Sequence, residues 1–296
     1  MNPVHLRTLL AILDEGSFEG AAFRLGISPS AVSQRVKALE KETGRVVLRR
    51  TIPVTATQAG EVLVQAGRRL ELLQAETSAL LGEQLAAIPL AVAVNADSLS
   101  TWFRPMYAAV AAREGTTLSV TVEDESYNLA LLQRGDVLGA IASTKETVPG
   151  CDAEFLGIMR YVAVANPRLL DRYTTNGEVD WQRLPVLRFG PRDHLQHKSL
   201  QSKLKGASSR QVPVHQVPSS EGFMEAARVG LGWALLPETQ AVPLLESGQV
   251  VRLDDAHNEV SLYWHHWRLA SESLEWLTKQ VHSIAAEHLY QPPPSS

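Results

Sequence analysis

The sequence predicts a multidomain chain: an all-α head closed by a small hairpin, a long connecting helix, and an α/β body of two subdomains. Three observations predict it. Apolar residues recur at helical spacing between well-marked caps as far as Gly44. A proline-free helical pattern then runs from Ala59 to Leu85. From Pro89 onward, apolar strand runs alternate with amphipathic stretches. At 296 residues, 45% hydrophobic and 20% charged, the chain can bury a core in each of about two domains without a metal or disulfide. A single cysteine, Cys151, excludes a disulfide-stapled protein, and no secretory leader is read at the N-terminus. The longest apolar stretch, Ala86 to Ala96, contains Pro89 and falls well short of the ~20 residues that cross a bilayer. No membrane partner is expected, and the expected location is cytoplasmic.

The first helix is predicted from about Pro3 to Glu15, with Leu6, Leu9, Leu10 and Leu13 inward. Gly16 stops it and Ser17 caps the next. That second helix runs from Phe18 to Leu25 with Ala21, Ala22 and Leu25 inward, and Gly26 supplies a left-handed cap. Ser28 and Pro29 restart a helix that reaches about Thr43. Serine satisfies an orphan backbone N–H there, and proline at the first helical position loses no intrahelical bond. Ala31, Val32, Val36 and Leu39 form the inner face of this third helix. Ser30, Ser33, Gln34 and Lys37 face outward with the chemistry of base-edge and phosphate contact. Arg45 to Ala56, rich in Val, Thr and Arg, reads as a short two-stranded wing. Together these elements make a winged helix-turn-helix, and the alternative is a generic three-helix domain with a solvated polar face.

Charge supports the first reading. The first 60 residues carry eight Lys/Arg against five Asp/Glu, a net +3, which leaves −7 for the remainder. A basic head on an acidic body suits a nucleic-acid-binding module attached to a regulatory domain. On the long helix, Leu63, Ala66, Leu70, Leu73, Thr77 and Leu80 alternate steps of three and four, the spacing of a seam between two copies. The same stripe would also serve packing on the chain's own domains. In the body, strands are predicted at Leu90 to Val94, Leu118 to Val122, Gly139 to Ala142, Arg160 to Ala165, Val186 to Phe189 and Trp233 to Leu236. Helices are predicted at Ser98 to Arg113, Asn128 to Gln133, Glu221 to Val229 and Glu272 to Leu289. This alternation implies mostly parallel sheets in two subdomains with a cleft between them. The Pro/Ser-rich tail, Gln291 to Ser296, is expected to be disordered.

The block Gly16-Ser17-Phe18, Ala21-Ala22, Leu25, Ser28-Pro29-Ser30-Ala31-Val32-Ser33-Gln34, Leu39-Glu40, Gly44 and Thr57-Gln58-Ala59-Gly60 resembles the LysR-type transcriptional regulators. One departure is Leu48, with Val47 before it, where the family favours Phe after Leu. Both positions stay apolar. The resemblance implies a winged helix-turn-helix head, a dimerising linker helix and a two-lobed effector domain like the periplasmic solute-binding proteins. Expected boundaries are 1–58 for the head, 59–86 for the linker helix and 87–296 for the effector domain, with lobe I about 87–161 and 268–290 and lobe II about 162–267. Further segments look like the ArgP/LysG branch, which responds to lysine, arginine and histidine and controls genes of their export or metabolism. They are Val94 to Phe103, Glu123-Asp124, Met159-Arg160-Tyr161, Ser220-Glu221-Gly222-Phe223, Gly230-Leu231-Gly232-Trp233 and Tyr263-Trp264.

The expected DNA contacts are Pro29, Ser30, Ser33, Gln34 and Lys37 on the third helix and Arg49 and Arg50 in the wing, with Gln34 suited to bidentate adenine readout. For a basic amino acid, hydroxyls and N–H groups at a helix start suit the α-carboxylate, which selects Asn95, Ser98, Ser100 and Thr101. Carboxylates suit the cationic end, which selects Asp97, Glu123, Asp124 and the neighbouring Glu125 at strand-to-helix turns, with Glu221 from the other lobe. Each also has a plainer reading as a helix cap or a solvated side chain. Trp102, Trp233 and Trp264 are read either as cleft lining or as core.

Three rival classes are weaker. No glycine loop or nucleophile elbow has its full pattern, and His194/His197 and His265/His266 lack further ligands at metal spacing, so neither an enzyme nor a metal is expected. A transport-associated binding protein would lack the basic head. An architectural DNA binder and a regulator of another effector remain alternatives. The expected partners are double-stranded DNA, a second copy in a homodimer or homotetramer, RNA polymerase and a small-molecule effector, with no cofactor.

Overall fold

The computed structural model describes residues 1–81, 88–123, 125–191, 193–204 and 212–293. The head contains α1 (Pro3–Glu15), α2 (Phe18–Leu25) and α3 (Pro29–Thr43), followed by β1 (Leu48–Arg49) and β2 (Thr55–Ala56). Each helix starts on a side chain that satisfies an orphan amide. Asn2 Oδ1 accepts from Val4 N at 2.9 Å, Ser17 Oγ from Gly20 N at 3.0 Å and Ser28 Oγ from Ala31 N at 3.2 Å. Each ends on a glycine with φ between 63° and 67°, Gly16, Gly26 and Gly44, a conformation that a side chain would strain. Leu6, Leu9, Leu10, Ile12, Ala21, Ala22, Val32, Val36 and Leu39 close the core against Val47 and Leu48. The wing strands pair antiparallel, Leu48 opposite Ala56 and Arg49 opposite Thr55.

Helix α4 (Gln58–Leu80) starts against the wing. A Cβ on Gly60 would lie 2.0 Å from the Val47 carbonyl oxygen, so only glycine lets the helix pass there. The predicted stripe divides. Leu63 and Leu70 pack on the head core, where Val64 is also buried, while Leu73 and Thr77 are exposed. The Leu80 side chain and residues 82–86 of the expected linker lie outside the described residues. Arg68 of α4 pairs with Asp14 of α1, which also takes Arg24 of α2 at 2.7 Å.

The body follows as β3 (Ile88–Val94), α5 (Ala96–Ser100), α6 (Pro105–Ala111), β4 (Thr116–Val122), α7 (Glu125–Arg134), β5 (Gly139–Ala142) and β6 (Cys151–Ala165). Next come α8 (Pro167–Arg172), β7 (Thr174–Thr175), β8 (Glu178–Val179), β9 (Val186–Arg188), α9 (His194–Leu204) and β10 (Val214–Gln216). The chain ends with α10 (Ser220–Val229), β11 (Ala234–Pro237), α11 (Glu238–Glu246), β12 (Val251–Trp267) and α12 (Glu272–His288). Two compact units result. One comprises Met1–Val94, Ala108–Glu154 and Trp264–Gln280, and the other Asn95–Tyr107, Phe155–Tyr263 and the segment from Val281.

In the first unit, β3 pairs in parallel with β4 on one side and β5 on the other. The Trp264 indole packs against Gly139, where a Cβ would lie 2.1 Å from the ring. Glu76 of α4 accepts from Ser271 Oγ (2.6 Å) and Ser273 N (2.9 Å) and so ties the linker helix to the start of α12. In the second unit, β9 and β10 are parallel but β6 and β11 are antiparallel, with Leu235 opposite Ala163. Its core gathers Val162, Val164, Leu187, Phe223, Ala227, Leu236 and Ala241.

Several expectations are corrected. The sheets are mixed rather than mostly parallel. The single helix expected from Ser98 to Arg113 is two, broken at Thr101 (φ −120°, ψ −102°) before Pro105 opens α6. The strand expected at Arg160 begins at Cys151, and the 17-residue β12 was unforeseen because Asp254, Asp255, His257, Asn258 and Glu259 interrupt its apolar alternation. Helix α11 was hidden by Pro243 inside it. The start of the tail is held: Tyr290 bridges Ile158, and Gln291 Nε2 donates to Leu156 O at 2.9 Å, while residues 294–296 lie outside the described residues. Among the described residues, no helix is long and apolar enough to cross a membrane.

Candidate functional site

Helix α3 buries Val32, Val36 and Leu39, and its 3.6-residue period turns Ser30, Gln34 and Lys37 to the exposed side, with Ser33 half-buried beside them. Pro29 is exposed at the first helical position, and Ser30 Oγ lies 2.9 Å from the capping Ser28 Oγ. Arg49 and Arg50 are exposed on the wing, and Arg50 sits over the Phe18 ring at 5.8 Å. Among the described residues no carboxylate lies within ion-pair reach of Lys37, Arg49 or Arg50, so these cations are available to an external polyanion. An open concavity of about 630 Å³ beside the wing adds Arg45 to Arg49, together with Thr57, Gln58 and Val62 at the start of α4.

A second polar site lies in the second unit around Asp97. Tyr161 OH donates to Asp97 Oδ2 and Ser220 Oγ donates to Oδ1, both at 3.1 Å. Ser100 Oγ stands 2.8 Å from Ser220 Oγ, and Gln240 Nε2 donates to Ser100 Oγ at 3.1 Å and Ser220 Oγ at 3.4 Å. Thr101 Oγ1 donates to the Asp97 carbonyl at 2.5 Å. No cation pairs with Asp97 among the described residues. Burial is the largest influence on its carboxyl and raises the pKa above the ordinary aspartate value. The Tyr161 and Ser220 hydrogen bonds pull it back down, and the charge of Asp193 adds to the rise. Three polar atoms on residues of this neighbourhood, Asn95 Oδ1, Ser98 Oγ and Gln240 Oε1, are buried without a hydrogen-bond partner.

The structure thus brings Asp97, Ser100 and Thr101 together and places the buried Ser98 on the same helix. Asn95 is the α5 cap residue, but its side chain makes no capping bond. Glu221 is exposed and lies 3.6 Å from Arg104 rather than in the cluster. Glu123 is exposed after β4 in the other unit, and Asp124 lies outside the described residues. Sequence reasoning missed Tyr161, Ser220 and Gln240 as site residues. A helix predicted to start at Glu221 makes Ser220 its cap, but Ser219 caps α10 by accepting from Gly222 N at 3.2 Å, which frees Ser220 for Asp97. Gln240 had no signal, since its helix was not foreseen. Trp102, Trp233 and Trp264 are all core residues, at most 2% exposed. His265 Nε2 donates to Thr144 O at 2.7 Å, and His266 Nε2 lies 2.9 Å from Glu154 Oε1.

A winged helix-turn-helix with an exposed basic face, followed by a long helix and an α/β body, defines a DNA-binding regulator with an appended sensory domain. Comparison with known proteins narrows this class. Residues 3–61 match the bacterial regulatory helix-turn-helix protein, lysR family, and residues 83–285 match the LysR substrate binding domain. The chain belongs to the LysR family of bacterial transcriptional regulators. It is 57% identical to the lysine export transcriptional regulatory protein LysG of Corynebacterium efficiens, over 95% of this chain and 97% of the relative. Full-length LysG from Corynebacterium glutamicum with bound effector Arg superposes with a TM-score of 0.84 at 54% identity, covering 98% of this chain and 100% of that one. ArgP from Mycobacterium tuberculosis gives 0.87 at 37% identity, with 98% of both chains covered.

Proposed function

We propose that this regulator senses a basic amino acid, lysine, arginine or histidine, at Asp97 and controls genes of its export or metabolism. The observation that carries the reading is a desolvated carboxylate, held, among the described residues, by two hydroxyl donors and no cation, with polar atoms on neighbouring residues that lack a partner there. A ligand ammonium supplies the missing positive charge and the missing donors in one group. The similarity to a LysG that binds arginine supports the same chemistry. Asp97 takes the ammonium, and the Ser98 hydroxyl, with the hydroxyls of Ser100 and Thr101 beside it, serves the carboxylate end.

On DNA, α3 enters the major groove with Gln34 reading a base edge. Arg49 and Arg50 hold phosphate or the minor groove, and Pro29, Ser30, Ser33 and Lys37 position the helix. The protein acts in the cytoplasm as a homodimer or homotetramer, since two recognition helices on two half-sites need a two-fold axis. Effector binding shifts the equilibrium between conformations that place the heads differently on the operator and so alters recruitment of RNA polymerase. It does so only to the extent that the effector binds the two conformations unequally.

The test is calorimetry of the full-length protein with lysine, arginine, histidine and leucine. Saturable binding of the basic amino acids alone is the expected result. Binding of leucine with equal strength, or of none of the four, overturns the reading.

A further inference from the structure

We infer that Gln240 is a positioning residue of the effector site: its side-chain amide fixes the direction of a chain of hydroxyls that ends on Asp97. The inference rests on the reading of Asp97 as the ammonium-binding group. Each serine hydroxyl has one proton to give and two lone pairs to accept with. Ser100 and Ser220 lie 2.8 Å apart, and either could donate to the other. The amide nitrogen of Gln240 can only donate, and it reaches both oxygens, at 3.1 and 3.4 Å.

With that nitrogen in place each hydroxyl accepts from the amide and turns its own proton onward. Ser220 sends its proton to Asp97 Oδ1 at 3.1 Å, and Ser100 sends its proton to Ser220 Oγ or to the Asp97 carbonyl, also at 3.1 Å. Polarised chains of this kind strengthen each successive bond. Were the amide turned over, its oxygen would draw both serine protons toward itself and Asp97 would lose its Ser220 donor. The amide therefore acts on the ligand through Ser220 and Asp97. It also pins α11, through Gln240, to α5 and to the start of α10.

The other groups that bear on the Asp97 charge are Tyr161 OH from β6 and Asp193 ahead of α9, and the Arg104–Glu221 pair runs from the segment after α5 to α10. Gln240 bonds to Ser100 and Ser220 rather than to any of these.

The experiment is calorimetry of arginine and lysine binding to the full chain for wild type, Gln240→Met, Ser220→Ala and the double variant, each over a range of pH. Gln240→Met keeps the length of the side chain and removes both its donor and its acceptor. The expected result is binding weakened about tenfold in Gln240→Met, with the deficit largest at acid pH and shrinking as pH rises, because an Asp97 short of a donor holds its proton to higher pH. Ser220→Ala is weakened by a similar factor, and adding Gln240→Met to it changes little, as expected for residues in one chain.

Wild-type binding that survives undiminished in Gln240→Met, or factors that multiply in the double variant, overturns the inference while leaving the Asp97 reading intact. Failure of the wild type to bind either amino acid overturns both. Should Gln240→Met lose its cooperative unfolding transition, Gln240→Asn, which withdraws the amide by one methylene, carries the same expectations.

Discussion

The head and the Asp97 site handle charge in opposite ways. On α3 and the wing, Lys37, Arg49 and Arg50 stand exposed with no carboxylate partner among the described residues. Around Asp97, one carboxylate is withdrawn from water and each of its oxygens is bound by a hydroxyl. Exposed cations act over a Debye length, bind any polyanion and weaken with salt. A desolvated carboxylate acts over one hydrogen bond, discriminates sharply and responds to pH rather than to salt. The lesson is that one chain uses solvated charge to find a polymer and buried charge to choose a small molecule.

The largest effect should come from Asp97→Asn. Lysine and arginine binding is expected to fall by roughly 3 kcal/mol, about a hundredfold or more, because the ammonium loses its counter-charge. The folded-state pKa of Asp97 is raised, so the group favours the fold below its unfolded pKa, and that contribution is lost as pH rises through the folded value. At neutral pH the asparagine variant should therefore unfold at the same temperature as wild type or higher. A parallel loss of ligand binding and thermal stability would mean that Asp97 is a structural residue. Wild-type affinity in the variant would remove it from the site, and the same titration of Glu123→Gln asks whether that carboxylate belongs there.

Next in size, Gln34→Ala should cost ~1–3 kcal/mol on an operator obtained by selection from random DNA and much less on random sequence. Equal losses on both would assign Gln34 to the backbone. Arg49→Ala and Arg50→Ala should each weaken binding to all sequences alike and flatten the dependence of log K on log salt by ~1. Over the same salt range, effector affinity should hardly change. A salt slope for lysine as steep as that for DNA would erase the contrast between the two regions.

The smallest effect concerns acid. Burial lowers the His265 pKa, so the folded state keeps the ring neutral while the unfolded chain takes up a proton near pH ~6.5. Stability from this group is full above the unfolded value and declines as pH falls toward the lowered folded one. Urea unfolding at successive pH values should show that decline, and its absence in this window would mean that the ring is charged in the folded state.

Much of the head was readable from local chemistry. Ser17, Ser28, Gly16, Gly26 and Gly44 mark helix ends through groups within a few residues, and the face of α3 follows from its period alone. The body was less readable. A 17-residue strand such as β12 is stabilised by partners elsewhere in the chain, so its polar centre gives no local sign of pairing. The Asp97 site shows the same division. Asp97, Ser100 and Thr101 share one strand-to-helix turn and were found together. Tyr161 and Ser220 reach Asp97 from 64 and 123 residues away along the chain, and Gln240 reaches Ser100 from 140.

The sequence by itself determined the winged helix-turn-helix, its outward polar face and the family, because caps, glycine stops and helical period act over one or two turns. Only the tertiary structure decided that Leu63 and Leu70 of the linker helix stripe pack on their own head and that Ser219 rather than Ser220 caps α10. It alone showed Asp97 closed by Tyr161, Ser220 and, through Ser220, Gln240. Those outcomes depend on which distant groups meet in space, and burial, which sets the energy of a carboxylate, is a property of the packed chain and not of its local order.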